Sequence, residues 1–321
     1  MSDTFLGYLL AGISLLLFTT GILVTKLASS RIHLSLGFLI ATSTNVVFAG
    51  LAFAVQNILR PDSLHWNAQA FWLFVAAGGF ATYLGRWFFY EAVVRFGPAK
   101  ASVFQVSSPL FTALIAWLVL GERLSLLVAG GMVLTIGGLM LVSYKPGFFT
   151  RSSAAGSTTV LVKSGDVKVL NTLQQRLLAS VLVLGLGSSL AYAVGNVLRG
   201  SAVRSWPEPI LGALVGAVFG LALHLAFTPG KRELLARLRV ANRSGVWLYA
   251  LMGVTTISGQ ICTIGSMRYI PLSIATLITL CTPLLVFPLS YLLFKNSDDL
   301  KLTTWLGCAL TLAGIFIIAM R

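Results

Sequence analysis

Arg86 is the residue whose chemistry most needs a reason. It stands in an apolar run over residues 70–94, about eight residues from the end and so ~12 Å deep by helical rise. If that run crosses a bilayer, a charge there costs at least ~2.5 kcal/mol and lies beyond easy snorkelling, which makes it a functional candidate by default. Tyr83, Arg86 and Tyr90 follow i, i+3, i+7 spacing, which puts them on one helical face with Gly79. A guanidinium flanked by phenols suits a carboxylate or an aromatic ligand. The plainer reading is a buried arginine satisfied by backbone carbonyls or a partner helix.

Other polar positions inside apolar runs extend the candidate set. Gln105 belongs to a stripe with Ala101, Ser108 and Thr112, and Tyr192 and Asn196 to one with Ser188. Gln260 shares a face with Thr256, while Thr276 with Thr279 and Thr42 with Asn45 complete the inventory. Singly, small hydroxylated residues are expected to mediate helix packing. Together, Gln105, Tyr192, Asn196 and Gln260 suggest the lining of a wet cavity. Glu91 is the candidate for ion or proton coupling, although its natural local partner is Arg95 at i+4 and a structural ion pair is the simpler role. Lys26 is expected to snorkel, with pairing to Glu91 as the sharper option. His224 reads as a packed or hydrogen-bonded histidine.

These side chains need elements to hold them, and the composition says which. The chain is 321 residues long, 57% hydrophobic and 10% charged, with mean hydropathy +0.89. A soluble surface needs about a quarter charged residues, so this is a polytopic membrane protein. Ten runs have the ~20 residues a span requires: 5–27, 35–58, 70–94, 99–120, 124–144, 176–199, 207–228, 246–268, 272–294 and 302–320. Backbone satisfaction in lipid makes them helices, and the fold class is an all-α bundle. The first run is too long for a signal-peptide core and is read as a retained span. The net charge of +14 sits in short connectors and forms no basic face, so no nucleic-acid partner is expected. Cys262, Cys281 and Cys308 fall in apolar runs without CxxC spacing, so neither a disulfide framework nor a zinc site is suggested and no metal is expected. Nothing reads as a nucleotide-binding loop, a cofactor motif or a catalytic set, so an enzyme is not expected.

The ten runs divide at a Ser/Gly/Thr/Ala-rich linker, giving units at 1–144 and 176–321 joined by 145–175. A second connector, 229–245, reads as a solvated basic loop, with a surface amphipathic helix as the alternative. The halves echo one another. Trp72 and Gly78 match Trp247 and Gly253; Arg95-x-x-Pro98 matches Arg268-x-x-Pro271; Gly130 and Gly137 match Gly307 and Gly314. Five spans per unit is odd, so the second copy must enter from the opposite side, as inverted repeats do in many secondary transporters. Gln260 then falls near the pseudo-symmetric position of Arg86. Pro98 and Pro271 are placed to start helices. Pro109 and Pro283 should kink theirs, and Gly121-Glu122-Arg123 reads as an interfacial turn.

The stretch Tyr90–Ser125, YEAVVRFGPAKASVFQVSSPLFTALIAWLVLGERLS, resembles the EamA-type domain of the drug/metabolite transporter superfamily. The resemblance covers nearly the whole chain and is strongest over 70–144. In the second copy, FKNSDDLKL replaces the GERLS-like turn. The resemblance implies a ten-helix bundle around a central cavity and transport of small metabolites by alternating access. Export of amino acids or similar carboxylate-bearing solutes is the finer expectation; a channel or a scaffold is the competing class, and an intramembrane enzyme ranks third. The expected setting is multi-pass in a plasma membrane, the inner one in a bacterium. Lipid and a small-molecule substrate are the partners, with proton or ion coupling open and a monomer or homodimer as the assembly. Both termini share a side. Loop charge places that side outside, whereas the resemblance implies the cytoplasm.

Overall fold

In hydrocarbon every backbone N–H and C=O must be bonded within its own segment, and the chain meets that demand by being helical. The computed structural model describes residues 3–59, 66–108, 110, 111, 115, 126–143, 181–228, 231–295 and 302–319, with no strand among them. The long elements of the first half are α1 (Asp3–Ser29), α2 (Leu34–Leu59) and α3 (Ala68–Phe96), followed by α4 (Pro98–Gln105) and α5 (Leu126–Ser143). The second half has α6 (Val181–Ser205), α7 (Pro209–Phe227), α8 (Lys231–Arg239), α9 (Arg243–Tyr269), α10 (Leu272–Leu280), α11 (Thr282–Phe294) and α12 (Leu302–Ala319). Six stretches among the described residues are long and apolar enough to cross a membrane: α1, α2, α3, α7, α9 and Ile274–Phe294. The linker 145–175, Pro109, Thr112 and the Gly121–Arg123 turn lie outside the described residues.

Helix ends follow the local chemistry. Gly97 takes φ 94°, open to glycine without strain, and hands the chain to Pro98 at the first turn of α4. Pro271 caps α10 in the corresponding place. The apolar run around Pro283 is broken rather than kinked: α10 ends at Leu280, Cys281 forms a turn, and α11 starts at Thr282 with Pro283 in its first turn. The run that begins at Pro98 is interrupted likewise, by a turn at Val106–Ser107. The basic connector forms a helix, α8, where a solvated loop was the simpler expectation. Its Glu233 and Arg237, one turn apart, support it with an exposed ion pair of 3.9 Å.

Packing is mostly between halves. α1 lies along α9, α6 along α3, and α2 contacts both α7 and α9, while α7 also packs on α3 and α5 pairs with α12. Lipid gives no hydrophobic drive between helices, so close backbone approach at small residues carries the association. A Cβ placed on Gly78 would come within 2.7 Å of the Gly216 backbone, which fixes how closely α3 and α7 cross. On α5 and α12 the contact is reciprocal: a Cβ on Gly138 would meet Thr311 Oγ1 and one on Gly314 would meet Thr135 Oγ1, each at 2.4 Å. The packing stripe of α5 is therefore Gly131, Thr135 and Gly138, one residue on from the pair matched by spacing alone. Gly130 and Gly137 face open space.

Candidate functional site

The middle of α3 departs from the α-helix. Gly78–Gly85 is π-helical, and α-helical bonding resumes at Arg86. Bonding from i to i+5 packs more residues into each turn, so i, i+3 spacing across that junction no longer keeps side chains in line. Arg86 and Tyr90 face the centre of the bundle, whereas Tyr83 turns toward α7 and stacks on Phe227 with ring centroids 6.1 Å apart. The shared face expected for all three holds only for Arg86 and Tyr90.

Arg86 and Tyr90 open into a cavity between the halves, lined also by Gln105, Ser108, Tyr192, Asn196, Arg199, Thr256, Gln260 and Thr279. The enclosed space is about 70 Å³, several times the ~10–15 Å³ a water needs. Six of the seven residues expected to bind solute, namely Arg86, Tyr90, Gln105, Tyr192, Asn196 and Gln260, meet here. The breaks in both interrupted runs are also at its wall, through Gln105 and Ser108 on one side and Thr279, Leu280 and Thr282 on the other.

Arg86 is 4% exposed. Its Nη2 donates to Gln260 Oε1 at 3.0 Å. Asn45 is oriented so that its nitrogen donates to Ala41 O at 3.0 Å and Gly253 O at 2.7 Å, and its oxygen then accepts from Arg86 Nη1; the bonding network dictates that orientation. Tyr192 also lies within reach of the guanidinium. Arg199 is 6% exposed and donates from Nη2 to Thr82 Oγ1 at 3.0 Å. The Gln260 Nε2 group is buried and without a partner. The Tyr90 hydroxyl, beside Thr256, forms no hydrogen bond of standard geometry.

Two of these groups were missed as site residues. Arg199 is the last residue of the run 176–199 and was not among the candidates. Helix α6 in fact runs on to Ser205, and the small apolar residues Gly200, Ala202 and Val203 after it were the available signal. Asn45 was grouped with packing residues, since nothing in α2 alone shows that it faces Arg86.

A second, wider cleft of about 500 Å³ lies at the end of the bundle, lined by His33, Tyr83, Trp87, Glu91, His224, Glu233 and Arg237 among others. Glu91 belongs to this cleft, where its Oε2 accepts from Arg95 Nε at 2.7 Å in a partly exposed pair. Lys26 donates to Val94 O at 2.8 Å, serving the carbonyl end of α3 rather than Glu91. His224 is packed, as expected: its Nε2 faces Ser35 O at 3.2 Å and its ring lies 4.6 Å from that of Phe38. Among the described residues no cluster could hold a metal, and Cys262, Cys281 and Cys308 are free thiols.

A bundle of membrane-length helices enclosing a polar cavity defines the class, an integral membrane protein. Residues 5–144 and 179–320 each match the EamA-like transporter family, and the chain belongs to that family. A solved crystal structure is similar over 98% of this chain and 97% of its own, with TM-score 0.58 and 17% identity. At that identity the likeness is one of fold. No curated protein matches the chain.

Proposed function

We propose that this protein is a secondary carrier of small organic solutes. It works by alternating access of two five-helix units of opposite topology, ten spans in all, in a plasma membrane with both termini on one side. Arg86 carries the reading: a buried guanidinium at the contact of the halves, bonded to neutral residues and facing an enclosed cavity. Tyr90, Gln105, Tyr192, Asn196 and Gln260 are assigned as further solute contacts, and carboxylate-bearing compounds as solutes. Tyr83 is left out because it lines the other cleft, and Glu91 is assigned to its ion pair with Arg95.

The contacts support the inverted arrangement. Ser14 Oγ donates to Gly259 O at 2.9 Å, and Ser188 Oγ to Gly85 O at 3.0 Å. Ser14 and Ser188 stand in the same register as Gly85 and Gly259, so these are one contact made twice. Arg86 and Gln260 share that register and bond to each other, as residues beside a two-fold axis would. Discontinuous helices at the site, here at Ser107 and Cys281, are a further habit of such carriers.

The test is reconstitution into liposomes with counterflow into preloaded vesicles. Saturable counterflow, abolished by Arg86→Ala and partly kept by Arg86→Lys, is the expected result. A flux that grows linearly with solute concentration and shows no counterflow would identify a channel and sink the reading.

A further inference from the structure

Taking the central cavity as the solute site, we infer that its solute is an organic dianion, a phosphomonoester or a dicarboxylate, held between Arg86 and Arg199. Both guanidiniums are buried, and arginine stays protonated in proteins. Among the described residues the cavity wall holds no aspartate or glutamate. Glu91 and Glu233 belong to the end cleft, and Glu208 accepts from Gln56 Nε2 at 2.7 Å. Asp3 opens α1, and the remaining acids, Asp62, Glu122, Asp166, Asp298 and Asp299, lie in sequence connectors. Two like charges thus share a low-dielectric space with no acidic side chain among the described residues beside them, an arrangement a purely structural role would not require.

Hydrogen-bond capacity points the same way. Arg86 and Arg199 spend only part of their five N–H groups each, on the neutral groups Gln260, Asn45, Tyr192 and Thr82. Gln260 gives its oxygen to Arg86, which leaves Nε2 buried with no acceptor. The guanidiniums and the Gln260 amide keep N–H donors to spare, while the acceptors of the described wall are neutral amides and hydroxyls. A ligand oxygen cluster carrying negative charge completes it. A zwitterionic amino acid would bring an ammonium group into a doubly positive space with no carboxylate to receive it, and a monoanion would neutralise one arginine of two. Phe18, Ile22, Phe89 and Leu280 supply an apolar wall for a short carbon skeleton.

The test uses the full-length protein in proteoliposomes with four labelled probes: glycerol phosphate, succinate, a monocarboxylate and a neutral amino acid. At least one dianion is expected to show saturable counterflow with KM at least about tenfold below the last two, and whichever dianion does so names the arm. Arg199→Gln should cut the dianion-to-monocarboxylate selectivity ratio about tenfold, and Arg199→Lys should recover most of it. An amino acid or cation carried with equal or lower KM overturns the inference and leaves the carrier reading intact. No counterflow with any class overturns both. A uniform loss across classes in Arg199→Gln makes that residue a brace to Thr82 and removes its assigned role. Should the variant misfold, the four-probe comparison on the unaltered protein decides alone.

Discussion

The central cavity and the cleft at the end of the bundle share a wall yet handle charge in opposite ways. Phe38, fully buried on α2, lies between them: its ring contacts Tyr90 of the cavity at 5.9 Å and Tyr83, Trp87 and His224 of the cleft at 6.4, 5.4 and 4.6 Å. On the cleft side the ion pairs Glu91–Arg95 and Glu233–Arg237 are local, one helical turn apart and reached by water. Such pairs contribute little, typically 0–1 kcal/mol. On the cavity side two arginines are buried with no acid among the described lining residues. Charge that is paired and wet needs no further explanation. Charge that is buried and unpaired asks for something that comes and goes.

The comparison can be broken in four places. Phe38→Ala removes the shared wall and should destabilise the protein most, by about 3–5 kcal/mol for a buried aromatic, read as a lowered unfolding midpoint in detergent; an unchanged midpoint would mean that the wall is not packed as described. Arg86→Ala should lower kcat/KM for counterflow more than a hundredfold, about 2.8 kcal/mol at 1.4 kcal/mol per decade. The same loss from Arg95→Ala would erase the distinction between the two regions. Tyr90→Phe and Tyr83→Phe form a matched pair. The first should raise KM several-fold, up to about 1.5 kcal/mol for one hydrogen bond, and the second should leave KM within twofold. Glu91→Gln should have the smallest effect, about 0.5 kcal/mol or less in stability, with uptake and its response to a pH gradient unaltered. Loss of gradient-driven uptake in that variant would move coupling into the cleft.

Much of the site was legible because lipid makes polar residues conspicuous. Arg86, Gln105, Tyr192, Asn196 and Gln260 stood out against apolar runs, and they converge on one cavity. Tyr83 was misplaced because a spacing argument assumes 3.6 residues per turn, and the π-helical stretch Gly78–Gly85 breaks that assumption. Arg199 was lost for the converse reason. The apolar run read from sequence stops at Arg199, while the helix continues past it to Ser205. The glycine match on α5 slipped by one residue because neighbouring Gly130 and Gly131 are equivalent as letters, and only the facing Thr311 distinguishes Gly138 from Gly137.

Composition and run length alone determined that this chain is a helical membrane protein. In hydrocarbon no other use of such runs satisfies the backbone, and the recurring Trp, Arg-x-x-Pro and Gly spacings marked two related halves. What only the tertiary structure decided is which polar groups see each other. Arg86 meets Asn45 of the preceding helix α2 and Gln260 of the distant α9, and Arg199 reaches the same cavity from α6. Whether a charge is partnered depends on neighbours brought by packing, and sequence spacing reports neighbours only within one helix.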